Sequence, residues 1–191
     1  MGDQTDEAII QRVLAGHIQD FRIIIEKHSH MAHRTAFSIT NNHEDAQEIV
    51  QDAFMKAFSV LSSFQGRSKF STWLFRIVYH KALNHLEKTK NYKTITDLEN
   101  IVDSEYLLNE DHWKRLVNRD QTKFLGLALG QLIPEDRLAL SLYYLEEKDQ
   151  KEISEITGWN LSATKVRIHR ARTKLSREIE KILDTEKDSL L

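Results

Sequence analysis

The sequence predicts an all-α protein made of two small helical domains joined by an acidic linker. Three observations carry this. The 191 residues include only six glycines and one proline. Apolar residues recur at three- and four-residue spacing through most of the chain, and an acidic stretch separates two such periodic blocks. Antiparallel sheets need turn residues every few positions, so a chain this poor in them reads as helical. The length suits one ordinary domain or two small ones. No cysteine is present, which removes disulfides and thiolate metal sites and fits a reducing compartment. No apolar run approaches a membrane span. The opening Met1-Gly2-Asp3-Gln4-Thr5-Asp6-Glu7 is acidic and polar, unlike a signal peptide, so a cytoplasmic location is expected.

Four helices are expected over residues 1–91. Ile9, Ile10, Val13 and Leu14 give a short apolar stripe, and Phe21, Ile24, Ile25, His28, Ala32, Thr35 and Ile39 a longer one. Asn41-Asn42 is a turn. Asn42 can cap the third helix, with Glu44 and Asp45 in its positive first turn. That helix has the clearest period in the chain: Ala46, Ile49, Val50, Ala53, Phe54, Ala57, Phe58 and Leu61 form one buried face. Residues 62–69 break the pattern and read as a loop. A fourth helix follows from about Ser71 to Lys88, with Leu74, Ile77, Val78 and Leu86 inward. Residues 92–120 are acidic and aperiodic, a linker with room for a helical turn near Trp113 to Val117. The second domain, 121–191, opens on a helix marked by Phe124, Leu127, Ala128 and Leu132. Pro134-Glu135-Asp136 starts the next, with proline in the first turn and acids at the positive dipole end, and Leu138, Leu142 and Leu145 continue it. Ile153 and Ile156, then Gly158, then a basic helix capped by Ser162 spell short helix, glycine turn and longer basic helix, the helix-turn-helix order.

Net charge is only −2, but the charges are segregated. Phe64 to Lys90 holds Arg67, Lys69, Arg76, Lys81, Lys88 and Lys90 against Glu87 alone, and Leu161 to Arg177 holds six cations and no acid. Two basic islands on either side of an acidic strip point to nucleic acid. In the last helix, Thr164, Ile168, Ala171 and Leu175 form a stripe that can pack inward, while Lys165, Val166, His169 and Arg170 face largely elsewhere. A helix fits the major groove, where cations donate to guanine, a valine meets a thymine methyl, and a histidine donates or stacks. Arg167, Arg172 and Lys174 are better placed for phosphates. A solvated basic face is the commoner fate of a charge run. Here the Gly158 turn and the absence of acids favour duplex DNA.

The block from Phe64 to Tyr79 interleaves Phe64, Phe70, Trp73, Phe75 and Tyr79 with Arg67, Lys69 and Arg76. Unpaired bases stack on rings while cations hold the backbone, at about 1–3 kcal/mol per base, and a flipped base needs an apolar wall with polar readers. Phe70, Trp73 and Phe75 are expected in the core, leaving Phe64 and the loop after it to make contacts.

Asp45-Ala-Gln-Glu-Ile-Val-Gln-Asp-Ala-Phe54, with Phe64-Gln-Gly66 and Phe70-Ser-Thr-Trp-Leu-Phe-Arg-Ile77, resembles conserved region 2 of sigma-70-family transcription factors. Leu132-Ile-Pro134 and Ile168-His-Arg-Ala-Arg172 resemble region 4. Order, spacing and length are those of the extracytoplasmic-function group, which keeps only these two domains. The resemblance implies that residues 1–91 bind a coiled coil on the largest subunit of core RNA polymerase, then melt and read the minus-ten promoter element. It implies that 121–191 reads the minus-thirty-five element as duplex through Ser162, Lys165, Val166, Arg167, His169 and Arg170. The polymerase-docking face maps onto Asp45, Glu48, Gln51 and Asp52. The base pocket maps onto Lys56, Val60, Phe64, Ile77 and His80, with Arg67, Lys69 and Arg76 on its basic margin. His80 stands where the family usually has asparagine, and Asn84 and Glu87 where aspartate and arginine are frequent, so a changed minus-ten preference is expected. The acidic linker resembles the segment that mimics nucleic acid near the polymerase active centre. The implied partners are core RNA polymerase, promoter DNA and a cognate anti-sigma factor, with no small-molecule substrate and no cofactor.

Two other readings fit less well. A stand-alone helix-turn-helix regulator explains Ser162 to Leu175 but not the ring-rich block. A metal-dependent helical enzyme would use His28, His30 and His33 with Glu26, yet His28 and His30 point about 200° apart on a helix and no fourth ligand converges. Neither a metal site nor a catalytic residue is expected.

Overall fold

The computed structural model describes residues 5–90 and 119–189, and among them every regular element is helical. Helix α1 (Asp6–Leu14) starts at Thr5, whose hydroxyl accepts the Ala8 N–H at 3.3 Å. A 3-10 turn leads into α2 (Phe21–Thr40), which stops where Asn41 adopts a left-handed conformation, φ 53°. Asn42 caps α3 (His43–Ser59) as expected, accepting the Asp45 N–H at 3.0 Å. After a second 3-10 turn and the 64–69 loop comes α4 (Phe70–Lys90). The linker, with the turn expected near Trp113, lies outside the described residues. The second half begins with α5 (Arg119–Gly130), two residues earlier than the sequence suggested. Next is α6 (Pro134–Leu140), with proline in its first turn as expected. It runs on as a π-helical turn, Ser141–Leu145, closed by the Glu146 N–H on the Ser141 carbonyl at 3.1 Å. Helices α7 (Gln150–Thr157) and α8 (Leu161–Ser189) complete the chain.

In the first half α2, α3 and α4 pack on one another, with α1 laid on α2. Ile24, Phe37, Ile39, Ala46, Ala53, Ala57, Phe70, Leu74, Phe75 and Val78 form the interior. Asp6 fixes α1 to α2 through His28 (2.9 Å) and Lys27 (3.0 Å). In the second half α5, α6 and α7 surround the start of α8, burying Leu138, Leu142, Ile153, Ile156, Thr164 and Ala171. Three residues read as inward face water: Leu14, Ile25 and Phe58 are 47%, 38% and 40% exposed. Each lies at the edge of its stripe, and the helices packed beside it cover a narrower arc than the apolar pattern spans. Phe58 keeps one contact, an edge-on approach to Phe21 at 5.0 Å.

The halves are joined by a seam in which α2 meets α6 and α4 meets α7. At its centre Arg34 of α2 pairs with Glu146 at 2.5 Å, their side chains only 3% and 2% exposed. Beside them Arg137 donates its Nε–H to the Ser38 carbonyl at 2.7 Å. Burial pushes Arg137 down to about 10, which still leaves a full cation at neutral pH. At the rim Lys69 pairs with Glu152 at 2.9 Å, and Tyr79 meets Trp159 edge-on at 6.4 Å.

Candidate nucleic-acid interface

The helix-turn-helix is built by local chemistry. Asp149 and Glu152 form a reciprocal capping box at the start of α7, satisfying the donors that a first helical turn leaves open. Gly158 ends α7 with φ 75°, a left-handed conformation a side chain would strain. The cap of α8 is Asn160, whose Oδ1 accepts the Ala163 N–H at 2.7 Å, while Ser162 is exposed on the first turn. Both residues have capping chemistry. Asn160 takes the role because the helix begins at Leu161, directly beyond the Gly158 turn. Thr164, Ile168 and Ala171 face the domain as expected, and Lys165, Val166, His169 and Arg170 are exposed on α8.

Arg167 and Lys174 behave otherwise than expected. Both reach Asp136 on α6, Arg167 Nη1 at 3.2 Å from Oδ1 and Lys174 Nζ at 2.6 Å from Oδ2. Asp136 is 3% exposed. The Arg167 guanidinium also lies over the Trp159 ring, 4.6 Å from its centroid, a cation–π geometry. Two cations read as phosphate contacts are therefore tied inward by a carboxylate about thirty residues upstream. Arg172 remains exposed.

In the first half Phe70 and Phe75 are buried, as read, and Trp73 is half-buried. Phe64 does not project freely. It is half-buried, 5.4 Å from Phe70 and 5.5 Å from Trp73, so its ring closes the aromatic cluster at its outer edge. The loop beyond it is open, with Gln65, Gly66, Arg67 and Lys69 exposed. Gly66 has φ 66° and nothing within 4 Å of where a Cβ would stand. Lys56 and Val60 lie at the end of α3, exposed and half-buried. On α4, Ile77 is half-buried, and Arg76 and His80 are exposed. Lys69 is held by Glu152 of the other half. Burial favours the protonated form of Glu152, but the Lys69 hydrogen bond and the Asp149 N–H together outweigh it and hold its carboxyl below the usual range. The same bond raises Lys69.

The acidic strip of α3 is partly met from within. Lys81 pairs with Asp52 at 2.8 Å and His85 approaches Asp45 at 3.4 Å, both from α4, while Glu48 and Gln51 stay exposed. Elsewhere burial is the largest influence on His28 and His33 and lowers both, against the Asp6 carboxylate in the case of His28. His33, Phe37 and His43 stack in series. Among the described residues no group of three or more His, Cys, Asp or Glu side chains is placed to hold a metal, and no helix is long and apolar enough to cross a membrane.

Comparison with known proteins agrees with this architecture. Residues 24–92 match the family model for Sigma-70 region 2, and residues 125–175 that for Sigma-70, region 4. The RNA polymerase sigma factor YlaC of Bacillus subtilis is 31% identical over 153 residues, covering 79% of this chain and 87% of the relative. The RNA polymerase sigma-H factor of Pseudomonas aeruginosa is 27% identical and the ECF RNA polymerase sigma-E factor of Escherichia coli 26%, each over 94% of this chain and 96% of the relative. Among solved structures, CnrH in complex with the cytosolic domain of CnrY shares the fold with a TM-score of 0.64 at 23% identity, over 93% of this chain and 99% of that one. RpoE of Bartonella quintana, solved with the anti-sigma factor NepR, gives 0.66 at 22% identity, over 85% and 98%. The chain belongs to the sigma-70 family, as a sigma factor of the extracytoplasmic-function type.

Proposed function

We propose that the chain binds core RNA polymerase and supplies its promoter specificity through two separate DNA-reading surfaces. Residues 1–91 dock on polymerase through the α3 strip of Asp45, Glu48, Gln51 and Asp52. They take up unpaired minus-ten bases at Lys56, Val60, Phe64, Ile77 and His80, with Arg67, Lys69 and Arg76 on the backbone. Residues 121–191 read the minus-thirty-five duplex with Lys165, Val166, His169 and Arg170, while Ser162 on the first turn of α8 is placed for a phosphate. Residues 92–120 join the two. Nucleotide chemistry belongs to the polymerase, and the factor works in the cytoplasm, where its promoters are. A cognate anti-sigma factor holds it inactive, as NepR accompanies the RpoE of Bartonella quintana.

The observation that carries this reading is the pairing, in one chain, of a region 2 match that contains the ring-and-cation block with a region 4 match that contains the exposed basic helix. A stand-alone regulator needs only the second. The two promoter elements lie roughly 25 base pairs apart, about 85 Å of B-form axis at about 3.4 Å per pair. The seam brings α4 against α7, so reading both elements at once requires the halves to part. The test is run-off transcription with core polymerase on fragmented genomic DNA. New start sites are expected only when the factor is added. Core polymerase that initiates at the same sites with and without the chain would refute the reading.

A further inference from the structure

The family motifs do not account for Asp136. This residue is nearly buried, yet both of its oxygens serve α8: Oδ1 accepts from Arg167 and Oδ2 pairs with Lys174. Arg167 and Lys174 are seven residues, two turns, apart on one flank of the helix, a span of about 10 Å at about 1.5 Å per residue. A single carboxylate thus fastens α8 at two points along its length. Trp159 backs the upper point from the turn, beneath the Arg167 guanidinium, and its own carbonyl is held by the Ser154 hydroxyl. Two fixed points on one flank set both the tilt of a helix and its rotation about its axis. Rotation is the quantity that decides which side chains meet base edges.

We propose that Asp136 is a positioning residue for promoter recognition. It turns α8 so that Lys165, Val166, His169 and Arg170 face the groove, and it withdraws Arg167 and Lys174 from the phosphates. The second effect matters as much as the first. Each cation that reaches a phosphate strengthens binding to every sequence equally and steepens its dependence on salt. A recognition helix that spent all its cations on phosphates would bind DNA at large and discriminate poorly. The inference rests on the reading of α8 as the duplex-binding helix.

The test uses the full-length chain at low salt and two duplexes, one with the mapped upstream element and one with that element scrambled, followed by fluorescence anisotropy over a salt series. Asp136→Asn keeps the shape and removes the charge. It is expected to bind the scrambled duplex more tightly, to steepen the slope of log K against log salt by up to about 1.8 for two released cations, and to reduce discrimination between the duplexes about tenfold. Asp136→Asn/Lys174→Gln removes one of the freed cations and should recover about half of the added slope. A merely structural Asp136 would weaken binding to both duplexes with no change in slope, and that result overturns the proposal. Should Asp136→Asn unfold, Lys174→Gln alone decides the matter, because its side chain is half exposed. A slope about 0.9 shallower than wild type would place Lys174 on a phosphate and overturn the proposal, whereas an unchanged slope supports it. Lys165→Ala and Arg170→Ala separate the two levels: if they too leave discrimination intact, the reading of α8 fails, and if they abolish it while Asp136→Asn does not, only the role of Asp136 fails.

Discussion

Removing the carboxylate at the centre of the seam tests how the two halves are held together. Glu146→Leu leaves the Arg34 guanidinium 3% exposed and deprived of its carboxylate. Breaking a buried pair from one side costs about 3–5 kcal/mol, most of it the penalty of the stranded charge. The chain can avoid that cost by letting the halves separate, which returns Arg34 to water. What would still oppose separation is the Arg137 bond to the Ser38 carbonyl, about 1.5–3 kcal/mol for a charged donor, and the Tyr79–Trp159 contact, about 0.5–1.5 kcal/mol. Lys69 stands in solvent and adds little. A shift of 3 kcal/mol is more than a hundredfold in the closed-to-open ratio, at about 1.4 kcal/mol per factor of ten. Because the chain has no cysteine, Gln47→Cys and Thr173→Cys, both exposed positions on α3 and α8, can carry a dye pair. Energy transfer should be high in the parent and collapse in Glu146→Leu, with helix content unchanged. Arg34→Met/Glu146→Leu, which replaces both charges by apolar groups of similar reach, should restore much of the transfer, since such swaps are often neutral or stabilising. Transfer that stays high in Glu146→Leu, or a double variant as open as the single one, would refute the reasoning.

Four further outcomes follow from the geometry. Lys165→Ala and Arg170→Ala should each cost about 1–3 kcal/mol at promoters that depend on the upstream element, read as transcript yield against a mutated-element control; equal yields at both templates count against base contact. Phe64→Ala should impair strand opening more than polymerase binding, visible as lost permanganate reactivity near the start site in a complex that still forms, and normal reactivity would return Phe64 to a purely structural role beside Phe70 and Trp73. Glu48→Arg should weaken association with core polymerase in a native gel. It is a cleaner probe than Asp52, whose reversal would also set two cations against each other at Lys81, and an unchanged shift would remove the α3 strip from the docking face. Stability should fall on acidification from neutral pH: His28 and His33 are lowered chiefly by burial, so below about 6.5 the unfolded chain binds protons that the folded chain resists. Their contribution is complete above that value and is lost as pH falls towards the folded-state values. Urea midpoints that do not move between pH 7.5 and 5 would contradict this, and His28→Gln should flatten part of the change.

What could be read from the sequence was local. Asn42, Pro134 and Gly158 act within a few residues of themselves, and the helical face from Ala46 to Leu61 repeats often enough to be unmistakable. The exposed quartet on α8 followed from one stripe of four buried positions. Three kinds of feature escaped. Stripe edges did, because the arc a neighbouring helix covers is set by packing, which left Ile25 and Phe58 outside. The cap of α8 did, because Asn160 and Ser162 are chemically equivalent and only the path of the chain after Gly158 separates them. The charge partners did as well. Arg34 and Glu146 are 112 positions apart, Lys69 and Glu152 83, and Arg167 lies 31 from Asp136. A sequence shows that cations and acids exist but not which will be brought together, so Arg167 and Lys174 read as DNA ligands when they are internal struts. Asp136 itself read as an ordinary helix-start acid, and nothing in its immediate surroundings marked it as a hub.

The π-helical turn at Ser141–Leu145 carries one residue more per turn than its surroundings would need. Loss of any single residue there would let the helix regularise at little local cost, yet everything beyond would swing by about 100° around its axis. Glu146 would leave Arg34, and the DNA-reading end of the chain would point elsewhere. Homologous sequences should therefore vary freely in length between α7 and its predecessor only after this turn, and a one-residue gap within it should coincide with a different residue at position 34.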